Sequence, residues 1–298
     1  MSSLPPRAVL ITRETDYERL LHAHATVAQA AFFLRTRSQS IETVQTAHER
    51  FRQTVNDVRA AIPEEWRVAR VDRDDLDRFL FTPEDIVLAV GQDGLVANVA
   101  KYLSGQPVLG INPAPDQFEG VLVPLNSQQA PRLMVAAAEG RASLEKRTMV
   151  RAELDDGQVL EALNEVFIGH HSHQSARYMI RFAGEEERHS SSGVIVSSGT
   201  GATGWARSLS VSTGHSVSVS PTDPRLAFFV REPWPSVATG ATIAFGEFGA
   251  ETAFQMLSNM NEGGVIFADG VEQDHLSFGW GRTVSVGPSQ RTLNLVRS

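Results

Sequence analysis

A single acid between two glycines is the feature of this sequence best suited to chemistry. Asp93 stands in the run Gly91, Gln92, Asp93, Gly94, directly after the apolar residues 86–90. A carboxylate can accept a proton from a substrate hydroxyl, and glycines let backbone N–H groups approach a phosphate closely. Open α/β sheets bind their ligands outside the carboxyl ends of their strands. This segment therefore predicts phosphoryl-transfer chemistry at the edge of a sheet.

Four further polar or glycine-rich segments lie between apolar runs. Asn164 and Glu165 form a polar pair within residues 162–168, and residues 199–204 match Gly-x-Gly-x-x-Gly after a predicted strand. No second strand ending in an acid follows at the Rossmann spacing, so we interpret this as a nucleotide-contacting loop of another kind. The histidines at 170, 171 and 173 predict a polar hairpin loop rather than a metal site. Asp269 and Gly270 form a turn signal.

Composition narrows the class of protein. The net charge of −8 argues against general nucleic-acid binding. There are no cysteines, which excludes disulfides and thiolate sites. No apolar run approaches the ~20 residues of a membrane span, and the first ten residues lack the features of a targeting signal. We therefore expect a cytoplasmic protein with no membrane partner and no metal site built from its own side chains.

The first half of the chain alternates strands with helices. Strands are predicted over residues 8–12, 66–71, 86–90 and 107–111, with helices over 14–34, 41–61 and 95–103. Such alternation favours a parallel sheet with crossover connections. We expect an α/β domain over residues 1–145 that carries the Asp93 loop.

The second half consists of short strands separated by turns. Predicted strands cover residues 147–154, 166–168, 178–182, 194–198, 226–230, 241–245, 265–268, 283–286 and 293–296. The serine-rich residues 208–220 fit either a strand or the start of a helix. We expect a β-rich domain over residues 146–298.

The motifs gain specificity from their order along the chain. Residues 91–94, 109–112, 163–166, 191–193, 200–205 and 269–270 resemble, in this order, the pattern of the NAD kinase family, ATP-dependent or polyphosphate-dependent. The segments 12–17, 111–120, 162–169, 191–193 and 230–233, together with Trp205, are most similar to its mitochondrial-type branch. The resemblance covers nearly the whole chain and implies the two-domain architecture of that family, with an N-terminal α/β domain and a C-terminal β-rich domain.

The resemblance implies an enzyme that transfers a phosphoryl group from ATP or polyphosphate to the 2′-hydroxyl of the adenosine ribose of NAD. Asp93 would accept the hydroxyl proton, and Mg²⁺ or another divalent cation would bridge the donor phosphates. The family also implies self-association as a homodimer or homotetramer through the β-rich half. The residues that match its nucleotide-binding positions are Gly91, Gln92, Gly94, Asn164, Glu165, Ser192, Thr200, Gly201, Thr203, Gly204 and Trp205.

Two residues depart from the family pattern. Gln92 replaces a second glycine, and Leu95 replaces a threonine hydroxyl. Both replacements lie where the family binds the phosphoryl donor, so they affect how the donor would be bound. They support an alternative function, that of a catalytically weak homologue that binds NAD(H) or another nucleotide as a sensor. A kinase of another hydroxyl, on a lipid or a sugar, is a third hypothesis, and the segments 164–165 and 200–205 argue against it.

Overall fold

The computed structural model describes residues 4–298; residues 1–3 of the predicted first domain lie outside the described residues. The chain divides into two compact units. One contains the residues up to Glu145 together with Asn294–Ser298, and the other contains Lys146–Leu293. The last five residues therefore lie with the first unit, although the sequence placed them in the second domain.

The first unit is built on a parallel sheet. Its strands are β1 (Arg7–Thr12), β2 (Arg67–Asp72), β3 (Asp85–Val90) and β4 (Pro107–Ile111), in the order β2-β1-β3-β4. Beside β4, the final strand adds a parallel pairing of Asn294 with Pro107. Every residue of β3 is buried, as the apolar run of residues 86–90 predicts for a central parallel strand. The carboxyl ends of β1, β3 and β4 thus meet at one edge of the sheet.

Five helices accompany this sheet: α1 (Asp16–His24), α2 (Val27–Arg35), α3 (Ile41–Ala60), α4 (Asp93–Ala100) and α5 (Ala130–Ala138). The sequence predicted one helix over 14–34, and this was wrong. Ala25 adopts a left-handed conformation that ends α1, and the hydroxyl of Thr26 accepts the N–H of Gln29 to begin α2. Helix α5 was not predicted.

The second unit consists of antiparallel strands with one helix, α6 (Trp205–Thr213). The strands are β5 (Ser143–Leu154), β6 (Val159–Ala162), β7 (Glu165–His170), β8 (Ala176–Phe182), β9 (Glu185–Ser191), β10 (Val194–Ser197), β11 (Arg225–Val230), β12 (Phe245–Gly249), β13 (Phe254–Ser258), β14 (Gly264–Ala268), β15 (Val271–Ser277) and β16 (Thr283–Arg297). One sheet has the order β12-β11-β10-β7-β14-β15, and the other contains β16, β13, β8 and β9, with β5 pairing β6. The main core lies between these sheets and includes Tyr178, Phe228 and Phe254.

Several predicted strands of this unit need correction. Residues 241–244 are not a strand, because the Glu187 carboxylate accepts the N–H groups of Thr242 and Ile243 that a ladder would need. The predicted strands 283–286 and 293–296 are parts of one strand, β16. Strands β6, β9, β13 and β15 were missed, and the serine-rich segment begins as helix α6. No helix within residues 4–298 is both long and apolar enough to cross a bilayer.

Candidate active site

The run around Asp93 is a helix start rather than the predicted loop. Gly91 follows β3 and donates its N–H to the carbonyl of Ile111 at 3.0 Å. Gln92 is the N-cap residue, and Asp93 is the first residue of α4, two positions before the predicted start. Gly94 therefore lies in the first helical turn. An acid at this position interacts favourably with the positive end of the helix dipole.

Both carboxylate oxygens of Asp93 accept backbone hydrogen bonds. Oδ1 accepts the N–H of Leu122 at 2.8 Å, and Oδ2 accepts the N–H of Val121 at 3.0 Å. The side chain is half-buried. These bonds fix the orientation of the carboxylate while leaving lone pairs on each oxygen for a further donor. Val121 and Leu122 carry no sequence signal for this role, because only their backbone takes part.

The two departures from the family pattern have different surroundings. The Gln92 side chain is exposed, and its Oε1 accepts an N–H from the Arg13 guanidinium at 2.8 Å. Leu95 is only 1% exposed, and its Cδ2 lies 3.1 Å from the position that a Cβ on Gly91 would occupy. Gln92 thus has a polar partner at the end of β1, and Leu95 belongs to the core beneath the turn.

In the second unit, Asp269 organises the Asn164–Glu165 segment. Its carboxylate accepts the N–H groups of Leu163 at 2.9 Å, Asn164 at 2.7 Å and Glu165 at 3.3 Å. Its own N–H donates to the Glu165 carbonyl at 3.0 Å. Asp269 has a φ of +49°, in the left-handed region that aspartate tolerates better than most residues. The turn signal at Asp269 therefore marks a structural support of the polar pair.

Glu165 occupies an unusual electrostatic environment. Burial raises the pKa of its carboxyl group from 4.5 to about 7, and the negative charge of Asp269 contributes to the same shift. Desolvation and a neighbouring like charge both disfavour the ionised carboxylate. A group with such a pKa changes its charge near neutral pH, and perturbed groups of this kind often mark functional sites.

The glycine-rich loop lies against the same polar pair. Ser198 donates its N–H to the Asn164 carbonyl at 2.9 Å, and its hydroxyl accepts the N–H of Thr200 at 3.1 Å. A Cβ on Gly201 would lie 2.4 Å from the Asn164 carbonyl oxygen, so only glycine fits there. Strand β10 pairs antiparallel on both sides, which excludes the parallel βαβ unit of a Rossmann fold. The loop is therefore a glycine-rich turn of another kind, followed by helix α6.

A buried arginine supports this loop and was missed by the sequence analysis. Arg147 on β5 is 3% exposed, and its Nη1 donates to Thr200 Oγ1 at 3.4 Å. Thr203 Oγ1 donates to the Thr200 carbonyl at 3.2 Å, which closes a short 3₁₀ turn before Gly204. The sequence gave no signal for this role, because the same strand also contains Lys146 and Arg151 and nothing in the pattern marks Arg147 as the buried one.

Trp205 is packed in an aromatic cluster. Its ring is stacked on Phe167, with centroids 6.0 Å apart and an interplanar angle of 7°, and Phe167 stacks in turn on Phe267. The Arg231 guanidinium lies 5.1 Å from the Trp205 ring centroid and donates to the Ser192 carbonyl at 3.4 Å. The cluster connects Ser192 to Trp205 through Arg231.

The candidate residues thus form one group in each unit. Gly91, Gln92, Asp93 and Gly94 lie together in the first, and the positions 164–165, 192 and 200–205 are connected through shared hydrogen bonds and ring contacts in the second. His170 ends β7, and its Nδ1 accepts the N–H of Ser172 at 3.1 Å within a turn. Among residues 4–298, no group of three or more histidine, cysteine, aspartate or glutamate side chains could hold a metal ion.

Comparison with known proteins identifies the fold. No protein-family model and no curated protein matches the sequence. The structure of yeast NADH kinase complexed with NADH matches with a TM-score of 0.62 and 17% identity, over 99% of this chain and 84% of that one. An NAD kinase from Archaeoglobus fulgidus in complex with ATP matches with a TM-score of 0.58 and 18% identity, over 98% and 93%. The chain therefore has the two-domain fold of these NAD(H) kinases, with an α/β N-terminal domain and a β-rich C-terminal domain.

Proposed function

We propose that this protein is an NAD kinase that transfers a phosphoryl group from ATP or polyphosphate to the 2′-hydroxyl of the adenosine ribose of NAD. The observation that carries the proposal is Asp93, held by two backbone N–H groups at the carboxyl end of β3, in a fold shared with NAD(H) kinases. One of those kinases was solved with NADH and the other with ATP. The assignment to the mitochondrial-type branch stays a prediction.

Asp93 would act as the proton acceptor. As the ribose oxygen forms its bond to the transferred phosphorus and the bond to the donor's leaving oxygen breaks, the hydroxyl proton passes to the carboxylate. A free aspartate is a weak base, so position and orientation matter more than basicity. The bonds from Val121 and Leu122 supply that orientation.

The second unit would hold NAD. The polar pair Asn164–Glu165 would bind the dinucleotide by hydrogen bonds, and the loop containing Thr200, Gly201, Thr203 and Gly204 would surround its adenine end. In this proposal Trp205 and Ser192 complete the wall of the site. The arrangement is supported by Asp269, which fixes the backbone of residues 163–165.

A divalent cation fits the site only when phosphates share in holding it. Since the described residues contain no three-ligand cluster, the donor phosphates would supply most of the ligands, as is usual for Mg²⁺. The cation would neutralise charge on the transferred group. No side chain of the described part of the chain is assigned as its ligand.

A direct assay tests the proposal. Purified protein is incubated with NAD or NADH, Mg²⁺ and either ATP or polyphosphate, and NADP(H) is quantified. Asp93→Asn should reduce turnover by about 10²–10⁴-fold, the usual contribution of a general base. The matched control is Glu119→Gln, an exposed carboxylate in the segment that leads to Val121, which should retain activity. Equal turnover by Asp93→Asn and the native protein would disprove the assigned role.

A nucleotide sensor without kinase activity is the second candidate function. The observation in its favour is that Leu95, which replaces a threonine hydroxyl in the family pattern, is buried and presents no donor to a phosphate. Tight binding of NAD with no product from any donor would support this alternative.

Light scattering by the purified protein tests the predicted homodimer or homotetramer.

A further inference from the structure

A cavity in the first unit adjoins the Gly91–Gln92 turn and has no role in the mechanism above. Its volume is about 300 Å³. It is bounded by the residues that follow β1, β3 and β4 and by one side of helix α3. The carboxyl edge of a parallel sheet is where ligands of α/β folds bind, and this volume lies at the lower end of the range for small-molecule sites.

The side of the cavity formed by α3 is apolar. Val44, Ala47 and Phe51 line it from the helix, and Pro113 and Phe118 line it from the segment after β4. A surface of aliphatic groups and phenyl rings suits a flat heteroaromatic ring, which gains from burial and from stacking. This apolar wall provides no hydrogen-bond donor or positive charge for a chain of phosphates without a nucleoside.

The turn side of the cavity carries a cation without an acidic partner. Within residues 4–298, the Arg13 guanidinium bonds to the neutral Gln92 amide and is paired with no carboxylate. Burial lowers the pKa of Arg13, and Arg19 and Arg73 act in the same direction, whereas the negative charge of Asp16 partly offsets them. An anion that bonded directly to the guanidinium would stabilise its charge further.

The other charged groups of the lining have side-chain neighbours of their own. Arg50 binds Asp116 at 2.6 Å, Asp16 contacts Arg19, and Glu14 lies beside His22, which offsets the negative charge of Glu14 only when the imidazole is protonated. His48 Nδ1 lies 2.9 Å from Thr15 Oγ1. The cavity therefore combines an apolar wall with a guanidinium, that of Arg13, which bonds to the neutral Gln92 amide at the turn that precedes Asp93.

We propose that this cavity binds the nucleoside half of the phosphoryl donor, with Arg13 and Gln92 at its phosphates, so that the donor is a nucleoside triphosphate and not polyphosphate. The inference rests on the proposed kinase function and narrows its donor class. The inference also assigns a role to Gln92, whose side chain holds the Arg13 guanidinium at the edge of the cavity. Asp93 lies one residue beyond Gln92, next to the expected position of the transferred group.

Calorimetry without an acceptor tests the cavity independently of catalysis. ATP, tripolyphosphate and NAD are each titrated, with Mg²⁺, into the full-length protein. ATP should bind at least about tenfold more tightly than tripolyphosphate, a difference of about 1.4 kcal/mol. Ala47 is exposed on α3, so Ala47→Trp fills the cavity without disturbing the core. It should weaken ATP binding by about tenfold or more and leave tripolyphosphate and NAD binding unchanged.

Two further variants complete the design. Ala60→Trp places the same ring on an exposed position of the same helix, outside the cavity, and should bind all three ligands like the native protein. Arg13→Gln should weaken ATP and tripolyphosphate alike. Equal affinities for ATP and tripolyphosphate, an Ala47→Trp variant that binds ATP normally, or a loss of NAD binding in that variant would each overturn the inference.

The outcomes separate this inference from the proposed function. If ATP binds as expected but no donor yields NADP, the cavity assignment stands and the kinase assignment fails. If NADP forms equally well from ATP and polyphosphate and Ala47→Trp has no effect, the kinase assignment stands and the cavity assignment fails.

Discussion

Asp93 Oδ1 accepts the backbone N–H of Leu122 at 2.8 Å, across 29 positions of the sequence. Together with the bond from Val121, this contact ties the start of helix α4 to the segment after β4. The proposed catalytic carboxylate is thus also a structural acceptor, and its removal has a cost besides lost activity.

Asp93→Ala should destabilise the protein by about 1–3 kcal/mol, chiefly because it leaves the N–H of the buried Leu122 without its acceptor, whereas the N–H of the exposed Val121 can bond to water. Asp93→Asn keeps one acceptor oxygen, so its free energy of unfolding should fall by less than that of Asp93→Ala. Urea unfolding of both variants measures the difference, and Glu119→Gln serves as the control. An Asp93→Ala variant as stable as the native protein would contradict the structural role.

Glu165 should make the protein less stable as pH rises towards neutrality. Its folded-state pKa of about 7 lies above the ordinary 4.5, so the folded chain binds this proton more tightly than the unfolded chain. The contribution is complete below pH 4.5 and is lost as pH rises through about 7; it amounts to at most ~3 kcal/mol. Urea unfolding across this range, compared with Glu165→Gln, isolates the effect. Parallel curves for the two proteins would refute it.

Asp269→Asn should lower the pKa of Glu165, because it removes the neighbouring negative charge while asparagine still tolerates the left-handed conformation. Burial is the larger cause of the shift and remains, so the pKa should stay above 4.5. NMR titration of the Glu165 carboxyl measures this directly. An unchanged pKa would show that Asp269 has no electrostatic influence on Glu165.

Gly201→Ala should disrupt the glycine-rich loop. The new methyl group would lie 2.4 Å from the Asn164 carbonyl oxygen and 2.5 Å from Ser197 Oγ, so backbone must move at a cost of about 1–3 kcal/mol. Gly279→Ala is the matched control, since no atom lies within 4 Å of its added methyl group. Thermal unfolding and NAD titration of both variants test this; equal behaviour would mean that the loop adapts freely.

Trp205→Tyr should preserve the aromatic cluster, whereas Trp205→Ala should destabilise it by about 2–3 kcal/mol through the loss of packing on Phe167. The tyrosine ring also keeps a face for the Arg231 guanidinium, a contact worth about 0.5–1 kcal/mol at exposed sites. Unfolding free energies distinguish the two variants. A tyrosine variant as unstable as the alanine variant would show that the indole itself is required.

The strands most readily predicted from the sequence are those buried by apolar neighbours on both faces. After its first residue, Asp85, β3 is apolar because it is buried on both faces, and the pattern of residues 86–90 is visible in the sequence. β9 and β15 escaped prediction because they lie at the edges of their sheets and carry mainly polar residues. The break between α1 and α2 depends on one cap, Thr26, within a run of good helix formers.

The sequence by itself determined the order of the polar motifs, the acid after β3 and the change from an α/β half to a β-rich half, because these follow from local composition and periodicity. Only the tertiary structure decided that Asp93 is held by Val121 and Leu122, that Asp269 supports residues 163–165, and that Arg13 bonds to Gln92. The physical reason is that backbone N–H groups are identical along the chain. Which of them meets a given side chain is decided when distant segments pack together.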